Sequence, residues 1–270
     1  MLKEIIKNDK REIPVITNDS KSKKLLLYVH GLDGSASFSK PLFKNLSEYK
    51  VVAMEQRGHD NSPMPASRSI KKHLGDYIFL IEHYKKLGYK VWVLGESMGA
   101  AYMTMLAYKT SDLIEAVFAQ SIPNKLENIM VAPKWVQFKV QFMTTFSLLT
   151  NVNYSYAATV NYKLLSSSKV IHRLARMADK TKKRQVRETL ATWAVTKRAW
   201  KRMKRRDPLT QIYYFQPDTD VIVNIKKARK AIGTNRKNLE YIEVKNSRHI
   251  LMFEPGFKDV IKKIKQVIGK

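Results

Sequence analysis

The chain has 270 residues, 44% of them hydrophobic and 27% charged, which is enough to bury a full core and far from the composition of a disordered protein. It contains no cysteine, so disulfide frameworks, thiolate zinc sites and thiol nucleophiles are excluded, and a catalytic nucleophile has to be Ser, Thr, Lys or a carboxylate. Fifty Lys and Arg stand against 23 Asp and Glu, a net charge of +27 that implies attraction to polyanions but specifies no fold.

The first residues, Met1 to Lys7, run into further charged residues rather than an apolar signal core, so a cytoplasmic location is expected. Leu25-Leu26-Leu27-Tyr28-Val29 is a continuous apolar run ending at His30-Gly31, the pattern of a strand buried on both faces. Similar runs follow at Val51 to Met54, ahead of Arg57-Gly58, at Val91 to Leu94, ahead of Gly95, and at Ile114 to Ala119, ahead of Pro123. Ile70 to Leu87 lies between them with helical spacing, placing Leu74, Ile78, Ile81 and Tyr84 on one face. Strands alternating with helices predict an α/β protein with a mostly parallel central sheet flanked by helices.

After Pro123 the alternation stops for some 85 residues. It resumes with a strand at Ile212 to Phe215, a helix over Ile225 to Ile232, a strand at Leu239 to Val244, and an amphipathic helix lined by Val260, Ile261, Ile264, Val267 and Ile268. The expected organisation is a core first part over 1–123, an inserted helical and basic cap over 124–208, and a core second part over 209–270. Within the insertion, Trp135, Phe138, Phe142, Phe146 and Leu149 form an apolar helical stripe, too interrupted by polar residues to span a bilayer. From Lys163 to Arg206 there are sixteen Lys or Arg against Asp179 and Glu188, a net of +14, about half the total charge.

Gly95-Glu96-Ser97-Met98-Gly99 fits Gly-x-Ser-x-Gly and sits between a buried strand and a helical segment carrying Ala100, Met103, Leu106 and Ala107. A serine on such a tight turn is forced into a strained backbone with its hydroxyl exposed, and the flanking glycines remove side chains that would clash. A serine hydroxyl needs a general base, and the base needs an acceptor that fixes its tautomer. Of six histidines only His172 and His249 follow Ser97; His172 lies in the basic insertion, whereas His249 follows a strand in a short loop, where a base reaches the strand ends. The strand at 212–215 leads to two carboxylates, Asp218 and Asp220, either of which serves as acceptor or as a helix cap. The backbone N–H groups of Met98 and of Leu32, in the loop His30-Gly31-Leu32-Asp33-Gly34, are the candidate oxyanion donors, supported by His30, Gly31, Gly95 and Gly99.

These residues give the chain a family resemblance. With His30-Gly31-Leu32-Asp33-Gly34-Ser35, Arg57-Gly58-His59-Asp60-Asn61-Ser62, the Ser97 motif, Asp218-Thr219-Asp220-Val221-Ile222-Val223 and Arg248-His249, it resembles the α/β-hydrolase superfamily, and within it the monoacylglycerol lipase, lysophospholipase and carboxylesterase group. The motifs cover about two thirds of the chain, and the insertion falls where that family carries its variable cap. The family's acid precedes a short x-Ile-Val run, so the resemblance favours Asp220 over Asp218. Asp60 stands where the family commonly has a second glycine, and Pro217 near the usual glycine before the acid; both bear on loop conformation.

The resemblance implies hydrolysis of an ester or related acyl bond: Ser97 attacks, His249 carries the proton, Asp220 orients His249, and Leu32 with Met98 stabilise the oxyanion. It implies no metal and no organic cofactor, and the sequence has no phosphate-binding loop, His-Glu-x-x-His or dinucleotide fingerprint. Serine at the elbow argues against haloalkane dehalogenases but leaves peptidases, thioesterases and carbon–carbon bond hydrolases open. The aromatic stripe reads equally as the wall of an acyl-chain pocket or as packing of the cap on the core. A basic stretch gains on the order of 1 kcal/mol per Lys or Arg near an anionic bilayer, so a lipid-type ester drawn from such a surface is the expected substrate. The other class of reading is a nucleic-acid binder or scaffold on a hydrolase fold, with Trp193 and Trp200 among the cations; their spacing of seven fits one buried helical face better, and nucleic acid is not the expected partner.

Overall fold

A computed structural model describes residues 1–59, 61–124, 134–150, 152–156, 162–173, 184–233 and 236–270. The apolar runs become parallel strands: β3 (Lys24–Val29), β4 (Lys50–Met54), β5 (Lys90–Glu96), β6 (Val117–Gln120), β9 (Ile212–Pro217) and β10 (Leu239–Val244). A hairpin of β1 (Leu2–Asn8) and β2 (Arg11–Thr17) joins them antiparallel through β2 and β4, giving the order β1-β2-β4-β3-β5-β6-β9-β10. This is the expected mostly parallel α/β sheet with one addition, since the hairpin has no continuous apolar run. β2 alternates instead, burying Ile13, Val15 and Thr17 and leaving the residues between them partly exposed, while β1 is the exposed edge.

The pleat divides the core in two. On one side Leu25, Leu27, Val29, Val91, Val93, Val117 and Ala119 pack with helices α2 (Ile70–Lys86) and α3 (Met98–Ala107). On the other, Leu26, Tyr28, Val51, Trp92 and Phe118 meet the short helix α1 (Lys40–Asn45) and the closing helix α8 (Phe257–Ile268), which buries Val260, Ile261, Ile264 and Ile268. Helix ends are set locally. Ser69 caps α2 by accepting from Lys72 N at 3.4 Å, and Asn224 caps α7 (Ile225–Ile232) by accepting from Lys227 N at 3.0 Å.

Between β6 and β9 lie α4 (Lys134–Thr150), the two-stranded pair β7 (Ser155–Tyr156) and β8 (Arg184–Gln185), the one-turn helix α5 (Tyr162–Leu165) and α6 (Val186–Arg205). α6 belongs to the main core: Val195, Ala199, Trp200 and Met203 are buried in the same cluster as α3. Three positions singled out in the sequence, Asp60, Asp179 and the side chain of Trp135, lie outside the described residues.

α4 turns much of its stripe away from the core. Phe138 is 72% exposed, Phe142 62%, Phe146 40% and Leu149 81%, so among the described residues most of the aromatic row faces outward, with Phe142 and Phe146 stacked on each other. The two tryptophans of α6 also part company. Trp200 is buried with its indole N–H donating to Pro123 O at 3.0 Å, whereas Trp193 is 55% exposed.

Candidate active site

The candidate residues stand at the C-terminal ends of the parallel strands, where an open α/β sheet presents its ligand crevice. β5 runs straight into α3 through Ser97, whose φ of 53° and ψ of −113° are a strained conformation costing about 1–3 kcal/mol. The strain is held by packing on both sides. Ser97 N–H donates to Gln120 O at 2.9 Å, and a Cβ on Gly99 would lie 2.2 Å from Val29 O. Gly95 is likewise pressed on Ala100, so only glycine at both flanks lets α3 start this close to β3 and β5.

His249 and Ser97 line one small cavity of about 70 Å³, together with Gly31, Leu32 and Ile222. Behind His249, Asp220 Oδ2 accepts from Nδ1 at 2.8 Å, while its Oδ1 accepts from the N–H groups of Ile222 at 2.8 Å and Val223 at 3.2 Å. Both side chains are buried. With Nδ1–H given to the carboxylate, Nε2 is left as the acceptor, the tautomer a general base requires. Burial disfavours the imidazolium, but the charge and hydrogen bond of Asp220, helped by Glu96, outweigh it and hold the His249 pKa above its ordinary value. Asp218 is occupied elsewhere, accepting from the N–H groups of Asn246 and Ser247 at 3.1 Å each.

The loop after β3 closes on the serine. A Cβ on Gly31 would come within 3.0 Å of Ser97 Cβ, so the backbone leading to Leu32 passes directly beside Ser97. His30 is buried beneath this loop, with Nδ1 on Gly31 O at 2.8 Å and its own carbonyl accepting from Gln56 Nε2 at 2.6 Å. Met98 is the buried first residue of α3, and an N–H in the first turn of a helix has no partner within the helix.

Several residues of the site have no role in the motif reading. Glu96 lines the cavity and is buried; burial pushes its pKa up, against the Tyr28 hydroxyl donating at 2.9 Å and the nearby His249 and His30. Its only sequence signal is a carboxylate between Gly95 and Ser97. Glu254 ties the His249 loop to the insertion, accepting from Ser166 Oγ and Ser167 N at 2.7 Å each and from Arg248 N at 3.3 Å. Glu188 of α6 reaches beneath the loop after β4, where Oε1 accepts from Ser67 N at 2.8 Å and Oε2 lies 3.5 Å from His73 Nε2. Burial raises Glu188 to about 8, against the Ser67 N–H and the Arg57 guanidinium, which is itself paired with Asp76. The signal was there to read: one of two carboxylates kept among sixteen cations.

Residues 20–256 match the family described as serine aminopeptidase, S33. The chain belongs to this α/β-hydrolase family. Other members of the superfold share its architecture at low identity. A monoacylglycerol lipase of Paleococcus ferrophilus superposes with a TM-score of 0.72 at 18% identity, over 96% of this chain and 99% of that one. A soluble variant of the monoglyceride lipase of Saccharomyces cerevisiae, in complex with a substrate analogue, gives 0.77 at 14%, over 98% and 94%. The enol-lactonase of Burkholderia xenovorans gives 0.70 at 16%, over 99% and 100%. No curated protein matches the sequence. At these identities the likeness of this hydrolase to the three enzymes is one of fold. Among its described residues, no helix is long and apolar enough to cross a membrane.

Proposed function

We propose that the protein hydrolyses carboxylic esters through an acyl-enzyme on Ser97. The observation that carries this reading is the Asp220–His249 hydrogen bond set behind the cavity that Ser97 and His249 share. Ser97 Oγ attacks the acyl carbon while its proton passes to His249 Nε2, and the oxyanion is received by the N–H groups of Leu32 and Met98. The leaving alcohol takes the proton from His249; water then repeats the sequence and frees the acid.

We take the ester to be a lipid type, such as a monoacylglycerol or lysophospholipid. Leu32, Phe38, Leu165, Ile222 and Ile250 give the cavity an apolar lining suited to an acyl group. Its small volume holds only the part of the chain next to the carbonyl. The outward aromatic face of α4 is the second support: apolar side chains left in water, in a segment with a large positive excess, match an anionic lipid interface. The family's description makes aminopeptidase the second reading, and Asp33 and Glu96 in the cavity wall are the carboxylates that would meet an α-amine.

Ser97→Ala should lower hydrolysis of p-nitrophenyl butyrate by up to about 10⁶-fold with an unchanged melting temperature. Retained turnover overturns the mechanism, and faster cleavage of alanine p-nitroanilide than of the ester by the native protein transfers the assignment to the peptidase reading. For the lipid interface, sedimentation with phosphatidylglycerol vesicles at low salt should exceed that with phosphatidylcholine, and Phe142→Asp should reduce it. Equal sedimentation with both lipids removes this part.

A further inference from the structure

A second cavity opens along α6. It is a groove of about 840 Å³ that shares no lining residue with the catalytic cavity; Thr192 of α6 faces the latter, and Trp193 and Thr196 face the groove. Its wall follows one helical face, in which positions 193, 196, 197, 200, 201, 204 and 205 recur every three or four residues. Pro123, Asn124 and Lys227 complete it.

The chemistry of this wall is one-sided. Among the described residues, five cations, Lys197, Lys201, Lys204, Arg205 and Lys227, line the groove with no carboxylate beside them, and none of the five is paired with an Asp or Glu. Unpaired like charges gathered in a concavity repel one another, and a bound polyanion relieves that repulsion. At the same place Trp193 is more than half exposed, with Lys197 Nζ 5.0 Å from its ring centroid. Trp200 gives a rigid floor, since its indole N–H is committed to Pro123 O. A flat ring is thus offered beside several unneutralised cations, in a volume suited to a small organic ligand rather than a long strand.

We propose that this groove binds a ring-bearing polyphosphate of nucleotide size, its ring against Trp193 and its phosphates among Lys197, Lys201, Lys204 and Arg205. The inference does not depend on the hydrolase reading, because binding here is measured without turnover. A mononucleotide uses both features of the wall. Inorganic triphosphate uses only the charge, and a nucleoside only the ring.

Calorimetric titration of the full chain at low salt is the test, with ATP, inorganic triphosphate and adenosine as probes. ATP should bind saturably and about tenfold more tightly than triphosphate, as expected for one stacked ring, and adenosine should not bind measurably. Trp193→Ala should bring ATP down to the triphosphate affinity, and the double variant Lys201→Glu, Lys204→Glu should weaken both polyphosphates by at least about tenfold. All three side chains are exposed, and an unchanged melting temperature shows that each variant folds. Absence of saturable ATP binding overturns the proposal, as does an ATP affinity equal to that of triphosphate and indifferent to Trp193→Ala. Displacement of ATP by a single-stranded oligonucleotide or by phosphatidylglycerol vesicles at lower phosphate concentration also overturns it, since the groove would then belong to an extended polyanion surface.

Discussion

Asp220→Asn separates the roles of two carboxylates that are two residues apart. Oδ1 of Asp220 holds two backbone donors, Ile222 N at 2.8 Å and Val223 N at 3.2 Å, so the carbonyl oxygen of an asparagine takes that place and its NH₂ turns to His249, 2.8 Å away. A donor facing Nδ1 drives the ring proton to Nε2, and the base then presents a hydrogen to Ser97 instead of a lone pair. The expected loss in kcat is about 10⁴-fold, equivalent to about 5.4 kcal/mol of barrier, with little change in KM. Asp218→Asn is the control: its partners are the exposed Asn246 N and the Ser247 N, and the loss should stay within about threefold. The assay is steady-state hydrolysis of p-nitrophenyl butyrate near pH 8, with melting temperatures of both variants. A tenfold or smaller effect of Asp220→Asn, or an equal effect of the two substitutions, refutes the argument.

The pH profile follows from the same pair. His249 must be neutral to accept the Ser97 proton, and its pKa is raised, so kcat/KM should decline on the acid side with a midpoint above about 6.5; a midpoint below 6 contradicts the arrangement. Glu188 governs stability in another window. Its folded pKa, raised to about 8, lies above that of the unfolded chain, so the protein should lose stability as pH rises from about 4.5 towards 8, by a few kcal/mol in all. Glu188→Gln keeps an acceptor for Ser67 N and should flatten the fall in melting temperature between pH 5 and 8.5; parallel curves for the two proteins would show that Glu188 ionises normally. Gly99→Ala puts a methyl on the backbone oxygens of Val29 and His30, which cannot recede without moving the loop to Leu32. It should cost about 1–3 kcal/mol and most of the esterase activity, and full activity would mean that the serine turn is looser than described.

The parallel strands were legible because burial on both faces leaves an unbroken apolar run, as in Leu25 to Val29. The β1–β2 hairpin was not, because an edge strand needs one apolar face at most and β1 carries its few apolar residues among charges. The serine turn and His249 were readable from local sequence, since glycine spacing and chain order are local facts. The preference for Asp220 rested on resemblance; in the structure Asp220, held by two backbone donors, is the one of the two carboxylates that meets His249. The α4 stripe shows the limit of periodicity: the pattern gives a helical face, and only the neighbouring elements decide whether water meets it. In α6 the cations masked an apolar face, Val195, Ala199, Trp200 and Met203, that binds the helix to the core.

That attachment of α6 sets where the chain can be cut and rejoined. A chimaera that exchanges residues 125–184 for those of a relative has natural joints at 124 and 185, with α6 left in place. A donor segment joined after Arg206 would remove Trp200 from its bond to Pro123 and Glu188 from the space above Gly58. Such a graft would trade away part of the recipient's core. Recombination across this family should therefore favour crossovers on the N-terminal side of the helix.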